Sequence, residues 1–250
     1  MTTNVDFLIA GVQKAATTAL YTFLREHPSI HMPDTKELHF FDNEKVNWER
    51  PDYTQYLEHF TTAKPGQICG EATPIYTYWT PAMERIRSFN PTMKLVIVLR
   101  DPVARAFSQW RMEVLRGADT LDFSSAIRGG RQRVIDLAET QGCHRVYSYV
   151  ERGFYSEQLV RAFQCLGQPR VLVLDHHDLI SRFEETLTRI VSFLEIPPFL
   201  VLPRNRIVHS FQDSPIAPID AADAEYLRDV FESDAIKLEM QIGRRLVREH

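Results

Sequence analysis

Cysteine is scarce in this sequence, and long apolar runs are absent. Of 250 residues only 3 are cysteine (Cys69, Cys143 and Cys165), and they lie far apart without metal-ligand spacing. An odd, dispersed set argues against a disulfide framework and indicates reduced thiols in the cytosol. No apolar run approaches the ~20 residues of a membrane span, and the start, MTTNVDF, does not resemble a signal peptide. We therefore expect a cytoplasmic protein with no membrane partner.

An excess of positive charge is also absent. The formal net charge is −4, whereas a general nucleic-acid binder is more often basic, so no nucleic-acid partner is expected. Apolar residues make up 44% and charged residues 25% of the chain, which is ordinary for a globular protein. This length suits one α/β domain with a large core, or at most two small ones. The sequence does not indicate an oligomeric state.

Strand-like and helix-like segments alternate along the chain. The apolar runs at 5–10, 94–99 (KLVIVL) and 170–174 (RVLVL) predict buried strands, and 67–71 predicts a short one. Such alternation predicts an α/β fold, a parallel sheet covered by helices on both faces, with ligands beyond the carboxyl ends of the strands. Predicted helices cover 18–27, 81–89, a segment from Pro102, 122–140 with an interruption at Gly129-Gly130, 156–166, 183–194 and 221–247, and loops cover 31–52 and 199–219.

The junction after the first strand reads GVQKAATTALYTFLREHP, residues 11–28. It is not a Walker A loop, which needs GxxxxGK followed by Ser or Thr. Lys14, Thr17 and Thr18 could instead form an anion cradle with the backbone N–H groups at the start of a helix. The alternative is that a threonine merely caps the helix and Lys14 is a solvated surface charge.

Arg100 stands at the exit of the predicted strand 94–99, in the sequence LRDP. The planar guanidinium of an arginine in that place is suited to grip a phosphate. Ser108 lies about two helical turns further on and could reach the same group. The alternative is an ion pair of Arg100 with Asp101 or with a glutamate.

Glu37 and His39 occur in KELHFFD, residues 36–42. In an extended segment both side chains would face the same way, and a carboxylate beside an imidazole can share general-base work. The alternative is an irregular edge strand with solvated charges. A further carboxylate, Glu71, follows the short strand in the turn EATP and is weak as a signal by itself.

Together these four motifs resemble the sulfotransferases that use 3′-phosphoadenosine 5′-phosphosulfate (PAPS), in the branch of heparan sulfate sulfotransferases and many bacterial enzymes. The match runs in order from Phe7 to about Gly117. The family's K-x-G-T-T loop stands here as KAATT, its KE-x-HFFD segment as KELHFFD, and its LRDP with a serine eight residues after the arginine as LRDP and Ser108. The resemblance implies a single sulfotransferase domain over 1–250, with a P-loop-like sulfotransferase fold.

The resemblance also implies roles. Glu37 is the general base, His39 orients it or shares its task, and Lys14 neutralises the leaving phosphate. The loop Lys14, Ala15, Ala16, Thr17 and Thr18 binds the 5′-phosphosulfate, and Arg100 with Ser108 binds the 3′-phosphate. PAPS is then the co-substrate and PAP the product, no metal is needed, and we expect the acceptor to be a small molecule.

The sequence departs from the family in three places. Ala16 replaces the common loop glycine, so we expect a backbone that alanine tolerates. Ala72 stands where glycan-modifying relatives often have lysine. The basic segment that closes on the 3′-phosphate is reduced to PRNR, in which Arg204 and Arg206 are the candidates. Competing functions are sulfation of a glycan, a P-loop-type small-molecule kinase, and a non-catalytic PAP-binding protein.

Overall fold

The computed structural model describes residues 4–136, 143–205 and 216–249. In this part of the chain the strands are β1 (Phe7–Gly11), β2 (Ile30–His31), β3 (Ile68–Ala72), β4 (Lys94–Leu99) and β5 (Val171–Asp175). The helices are α1 (Thr17–Arg25), α2 (Thr54–Glu58), α3 (Ala82–Phe89), α4 (Pro102–Leu115), α5 (Phe123–Asp136), α6 (Cys143–Val146), α7 (Tyr155–Leu166), α8 (His176–Ser181), α9 (Phe183–Leu194) and α10 (Ala221–Ile242).

The five strands form one parallel sheet in the order β2-β3-β1-β4-β5. In register, Ile9 of β1 lies opposite Ala72 of β3, and Ile30 of β2 lies opposite Ile68. The carboxyl ends of β2, β3 and β1 are therefore neighbours along one edge of the sheet. Every residue of β1 and all but the first of β4 are buried, as the continuous apolar runs predict.

The chain divides into two compact units. The first contains the sheet, with the chain up to Leu99 and the stretch from Gln158 through α9; α1, α8 and α9 contact its strands. Strands β1 and β3 approach closely at Gly70, where a Cβ would lie 2.3 Å from the ring of Phe7. Glycine is therefore required at that position.

The second unit contains α4, α5, α6 and α10. Asp101 caps α4, since its side chain accepts a hydrogen bond from the Val103 N–H, and Pro102 occupies the first turn. Gly130 interrupts α5 with φ 45° and ψ −134°, which confirms the interruption expected from the glycine pair. The core of this unit includes Trp110, Phe123, Tyr149, Leu227 and Phe231.

Most predicted elements are present, with shifted ends. The strand at 94–99 has the predicted bounds, and 67–71 is found as Ile68–Ala72. The two-residue strand Ile30–His31 and the helix Thr54–Glu58 were not predicted, since neither is long enough to show a periodicity. Among the described residues, no helix is both long and apolar enough to cross a membrane.

Candidate active site

The sheet topology brings three of the sequence motifs to one edge of the first unit. Residues 12–18 follow β1, residues 73–77 follow β3, and residues 36–42 belong to the segment after β2. The N–H of Glu37 donates to the Ala72 carbonyl at 3.0 Å, and the N–H of Thr77 donates to the Ala10 carbonyl at 3.1 Å. Backbone hydrogen bonds thus tie the 36–42 segment to β3 and the 73–77 turn to β1.

The loop after β1 turns through left-handed backbone before α1 begins. Lys14 has φ 73° and Ala16, the N-cap residue, has φ 59° and ψ 25°. The N–H of Ala15 donates to the Val12 carbonyl at 3.2 Å, so this amide is used within the turn. Contrary to expectation, the backbone at Ala16 is the left-handed conformation that glycine adopts freely and alanine only at a cost.

This loop presents the features of an anion site. The helix α1 starts at Thr17, and the structure records no side-chain hydrogen bond that caps it at Ala16. The first N–H groups of a helix have no partner within it and carry partial positive charge. Thr17 is buried, whereas Thr18 and Lys14 are half-buried. A hydroxyl pair and an ammonium thus lie close to the helix N-terminus in sequence, as a phosphate site requires.

Glu37 and His39 are close, but for a different reason from the one predicted. Their φ angles are 61° and 53°, so the segment is not extended, and the prediction of an alternating strand-like piece is wrong. The His39 Nε2 nevertheless lies 3.6 Å from a Glu37 carboxylate oxygen. Left-handed turns, rather than a strand period of two, bring the carboxylate and the imidazole together.

Glu37 is held as a carboxylate. Burial by itself would raise the pKa of Glu37, but the interaction with the nearby His39 imidazole and the charge and hydrogen bond of Lys36 outweigh burial and lower the pKa to about 2. The Lys36 ammonium contacts Glu37 directly, and the Glu37 side chain remains 39% exposed. The group is therefore ionised at neutral pH and open to a small molecule.

Asp42 is the partner of His39, a role that the sequence did not indicate. His39 Nδ1 lies 2.9 Å from Asp42 Oδ2, and Asp42 is buried. Carboxylates therefore face both nitrogens of the His39 ring, Asp42 on one side and Glu37 on the other. Asp42 is the last letter of KELHFFD, so the motif contained the signal, although the sequence could not indicate that its side chain would be buried against the ring.

The two phenylalanines of the same motif anchor the segment. Phe41 is fully buried and contacts the ring of Tyr76 at a centroid distance of 5.5 Å, while Phe40 stacks on Tyr56 at 4.8 Å. The Arg85 guanidinium donates to the Phe41 carbonyl at 2.9 Å. Aromatic packing thus holds the backbone that carries Glu37 and His39.

A second buried carboxylate, Glu71, lies under this segment at the end of β3. Its oxygens accept hydrogen bonds from the Thr73 hydroxyl at 2.7 Å and the Tyr76 hydroxyl at 2.8 Å. Burial raises the pKa of Glu71 to about 7; the two hydroxyl bonds oppose the rise, as does His39, and the charge of Asp42 adds to it. The turn EATP, weak as a sequence signal, therefore carries a titratable group.

In the second unit, Arg100 binds a carboxylate of the same chain. Its guanidinium forms a two-pronged ion pair with Glu249, Nε donating at 2.8 Å and Nη2 at 2.5 Å. The Arg100 carbonyl accepts from the Tyr155 hydroxyl at 2.9 Å. An ion pair with a glutamate was the alternative left open for Arg100, and the structure supplies one, with a partner far away in sequence.

Ser108 and a further arginine accompany Arg100. Ser108 is half-buried on α4, and Arg111 follows it by three residues, which is one turn of the same helix. Burial and the neighbouring charge of Arg100 lower the pKa of Arg111, so the two guanidiniums are electrostatically coupled. Two neighbouring guanidiniums, Arg100 and Arg111, one of which already binds the Glu249 carboxylate, form an environment suited to a phosphate.

Two predicted residues of the closing segment have different outcomes. Arg204 is exposed, and the neighbouring Asn205 side chain donates to the Ile180 carbonyl at 3.4 Å. Arg206 lies outside the described residues. The role of PRNR in nucleotide binding therefore stays a prediction.

A family comparison matches the chain over the region that contains these motifs. The model of the sulfotransferase domain family matches residues 4–213. The chain belongs to this family. The resemblance drawn from the four motifs is thus confirmed at the level of the family, and so is the expected P-loop-like fold with a parallel sheet flanked by helices.

Individual relatives agree with this assignment. Heparan sulfate glucosamine 3-O-sulfotransferase 3A1 of Mus musculus is 31% identical over 190 residues, 75% of this chain and 44% of the relative. Heparan sulfate glucosamine 3-O-sulfotransferase 5 of Homo sapiens is 29% identical over 191 residues, 76% of this chain and 53% of the relative. The chain spans about half the length of these curated relatives.

A solved structure matches along almost the whole chain. A sulfotransferase from Alicyclobacillus acidocaldarius is 25% identical, with a TM-score of 0.82 and coverage of 97% of both chains. The match therefore covers residues of both compact units.

Over residues 4–136, 143–205 and 216–249, the structure contains no group of three or more His, Cys, Asp or Glu side chains placed to hold a metal ion. Metal independence of turnover stays a prediction.

Proposed function

We propose that this protein transfers a sulfuryl group from PAPS to a hydroxyl or amine of a small-molecule acceptor. The observation that carries the proposal is the pairing of an ionised, partly exposed Glu37 with His39 at the sheet edge where the lysine-bearing loop enters α1. Membership of the sulfotransferase domain family supports the same reaction.

The residues of the first unit would act as follows. Glu37 accepts the proton of the acceptor group as that group attacks sulfur. His39, held by Asp42, orients Glu37 or shares the proton. Lys14 and the α1 N-terminus stabilise the negative charge that develops on the phosphate oxygen when its bond to sulfur breaks. The products are the sulfated acceptor, PAP and one proton, so atoms and charge balance.

Nucleotide recognition is assigned to two sets of residues. Thr17 and Thr18, with the backbone of Lys14, Ala15 and Ala16, hold the 5′-phosphosulfate. Arg100 and Ser108 hold the 3′-phosphate that distinguishes PAPS from ATP. The fit of Arg100 is supported by its two-pronged grip on the Glu249 carboxylate, an oxyanion bound as a phosphate would be.

Lys36 lowers the basicity of Glu37. A general base works best when its pKa is near the operating pH, whereas Glu37 without an acceptor has a pKa of about 2, partly through the charge of Lys36. An acceptor that displaces Lys36 from Glu37 would remove this stabilisation and raise the basicity of the carboxylate. We infer that binding of the acceptor itself activates the base.

The negative charge of the chain favours a small acceptor over a polyanionic glycan, although the structure shows less free negative charge near Glu37 than the sequence indicates. A polyanionic glycan needs a basic track, and the chain has a net charge of −4 and Ala72 in the position of a common family lysine. Five carboxylates lie in or near the KELHFFD and EATP motifs in the sequence: Asp34, Glu37, Asp42, Glu44 and Glu71. Asp42 and Glu71 are buried, and Asp34 and Glu44 are paired with Arg25 and Arg85, so the local negative charge is smaller than the sequence indicates.

Sulfation of a glycan is the second candidate. It is favoured by the curated relatives, which are named as heparan sulfate glucosamine 3-O-sulfotransferases. The segment RGGRQR, residues 128–133, contains three arginines that could form a local basic patch. Each of them pairs with a carboxylate: Arg128 with Asp223, Arg131 with Glu151 and Arg133 with Asp119. The pairing reduces the charge available to a polyanion.

The deciding experiment is incubation with PAPS and a panel of alcohols, amines, phenols and glycans, read by mass spectrometry for added SO₃. Sulfation of a small alcohol or amine supports the proposal. Tight retention on heparin at physiological salt, with a sulfated glycan and no sulfated small molecule, would replace it by the second candidate. Transfer to no acceptor, with PAP still bound, would favour a non-catalytic PAP-binding protein.

We also propose a cytoplasmic location, with which two free cysteines are consistent. Cys69 is buried and Cys165 half-buried, and both are free. Burial and the nearby charge of Asp6 raise the pKa of Cys69 to about 11, so this thiol is unreactive near neutral pH.

A further inference from the structure

Two short hydrogen-bond chains connect Glu71 to the backbone of the 36–42 segment. In the first, the Phe40 N–H donates to the Tyr76 hydroxyl at 3.2 Å, and that hydroxyl donates to Glu71 Oε1 at 2.8 Å. In the second, the His39 N–H makes a longer contact of 3.5 Å with the Thr73 hydroxyl, which donates to Glu71 Oε2 at 2.7 Å. Both chains end on one buried carboxylate.

The direction of these bonds depends on the ionisation of Glu71. A carboxylate only accepts hydrogen bonds, whereas a hydroxyl both donates and accepts. Because the hydroxyls of Thr73 and Tyr76 each donate their one hydrogen bond to Glu71, their oxygen lone pairs are available to accept from the N–H groups of the segment. A protonated Glu71 would carry a proton of its own and compete for one hydroxyl oxygen.

The segment needs such support because its backbone is unfavourable. Glu37 and His39 both have positive φ, which costs a residue with a side chain roughly 1–2 kcal/mol. Conformations of this kind persist only where the surroundings hold them. The two chains meet the backbone at His39 and at its neighbour Phe40.

We propose that Glu71 is a positioning residue for sulfuryl transfer: through the hydroxyls of Thr73 and Tyr76 it fixes the backbone that places Glu37 and His39. The inference rests on the proposed function, in which Glu37 and His39 act on the acceptor proton. Glu71 itself is buried and does not reach the acceptor.

The position of Glu71 predicts opposite effects of pH on turnover and on stability. Its pKa of about 7 places its ionisation near neutrality. Turnover that needs the carboxylate rises with pH through about 7. Stability behaves in reverse: a carboxyl whose folded pKa is raised stabilises the fold fully below its ordinary pKa of 4.5, and this contribution is lost as pH rises to about 7.

Other ionisable groups face Glu71 and must be separated from it. They are His39 and Asp42 on the 36–42 segment, Tyr76 after β3 and Tyr56 on α2, whose hydroxyl lies 3.5 Å from Glu71. Burial and the Glu71 charge raise the pKa of both tyrosines well above the ordinary value, so they stay protonated. His39 is the remaining group that could give a similar limb in a pH profile.

Four variants test the proposal. Glu71→Gln keeps the shape but leaves one hydroxyl proton without an acceptor, and Thr73→Val and Tyr76→Phe each break one chain. Tyr56→Phe is the control: it removes a hydroxyl that contacts Glu71 and belongs to neither chain, and it keeps the ring that stacks on Phe40. We expect kcat to fall about 10- to 100-fold in Glu71→Gln, as for a displaced catalytic group. The KM for PAPS should change little, and the limb near pH 7 should disappear.

Hydrogen exchange of the His39 and Phe40 amides gives a readout that needs no turnover. Glu71→Gln should accelerate the exchange of both amides. Thr73→Val should accelerate mainly the His39 amide, and Tyr76→Phe mainly the Phe40 amide. Tyr56→Phe should leave both exchange rates unchanged. If wild-type protein sulfates no acceptor, the proposed function fails, while the exchange pattern still decides whether Glu71 holds the segment.

Two results would overturn the inference. One is wild-type kcat and an unchanged pH limb in Glu71→Gln, which would assign the limb to His39. The other is unchanged amide exchange in Thr73→Val and Tyr76→Phe, the variants that keep the test valid if Glu71→Gln does not fold.

Discussion

The carboxylate of Glu249 sits on the guanidinium of Arg100. Arg100 Nε lies 2.8 and 3.0 Å from the two oxygens of Glu249, and the Glu249 N–H donates to the Asp101 side chain at 2.9 Å. The Arg100 side chain is only 20% exposed. Any phosphate that binds Arg100 in the proposed way must therefore displace this carboxylate or share the guanidinium with it.

Replacing Glu249 by glutamine should strengthen PAP binding. The variant removes a competing negative charge, and ion pairs near a surface are worth about 0.2–1 kcal/mol, so we expect a Kd about 1.4- to 5-fold lower. Isothermal titration calorimetry would measure it. The matched control is Glu239→Gln, which removes a carboxylate paired with Arg245 in the same unit. Equal Kd values for Glu249→Gln and wild type would mean that the carboxylate does not compete.

Replacing Arg100 by alanine should weaken PAP far more than adenosine 5′-phosphosulfate, which has no 3′-phosphate. Loss of a hydrogen bond to a charged group costs roughly 1.5–3 kcal/mol. Calorimetry with both ligands separates the 3′-phosphate from the rest of the nucleotide. Equal weakening of the two would assign Arg100 to another role, such as the ion pair with Glu249.

Glu37→Gln should abolish most turnover while PAP affinity stays within a few-fold. Glutamine has the shape of glutamate but cannot take a proton, and loss of a general base costs about 10²–10⁴-fold in rate. Single-turnover kinetics with the best acceptor would measure the loss, with the exposed Glu58→Gln as control. Retention of more than half of the wild-type kcat would reject Glu37 as the base, and His39→Ala would then be the variant to measure.

Turnover should survive EDTA. Lys14 and the positive end of α1 already meet the charge of the phosphosulfate, so no cation is required. Rates would be compared in EDTA and in excess Mg²⁺. Loss of activity in EDTA with rescue by Mg²⁺ would support the kinase alternative instead.

Ala16→Gly should stabilise the protein. Ala16 has φ 59°, and at such a site alanine is less stable than glycine by more than the ~0.4–1 kcal/mol that the chain entropy of glycine costs elsewhere. The control is Ala19→Gly inside α1, which should destabilise by about 1 kcal/mol. Urea denaturation of both variants tests this; a lower midpoint for Ala16→Gly would show that the alanine methyl is needed.

The strands could be predicted where burial alone determines them. Lys94–Leu99 has the bounds predicted from KLVIVL, because a strand buried on both faces is a continuous apolar run. Ile30–His31 could not be predicted, since a two-residue strand exists only through its pairing with Ile68 and Cys69.

The identity of the site residues could be predicted from the sequence, but their backbone conformation and their contacts could not. Glu37 and His39 were found through KELHFFD, yet their left-handed backbone contradicts the extended reading, because contacts with Thr73 and Tyr76 decide it rather than local propensity. The partner of Arg100 lies 149 positions away, and no local pattern reports a contact over such a distance.

Left-handed backbone is concentrated where the chemistry is proposed. Among the described residues other than glycine, positive φ occurs at Lys14, Ala16, Glu37, His39 and Glu195, and four of these five belong to the candidate active site. Glycine at any of the four would relax the chain, but at three of them it would delete a proposed functional side chain. Laboratory selection for heat resistance alone would therefore favour glycine in place of Lys14, Glu37 and His39 as well as Ala16. Selection for both heat resistance and turnover would favour glycine only at Ala16.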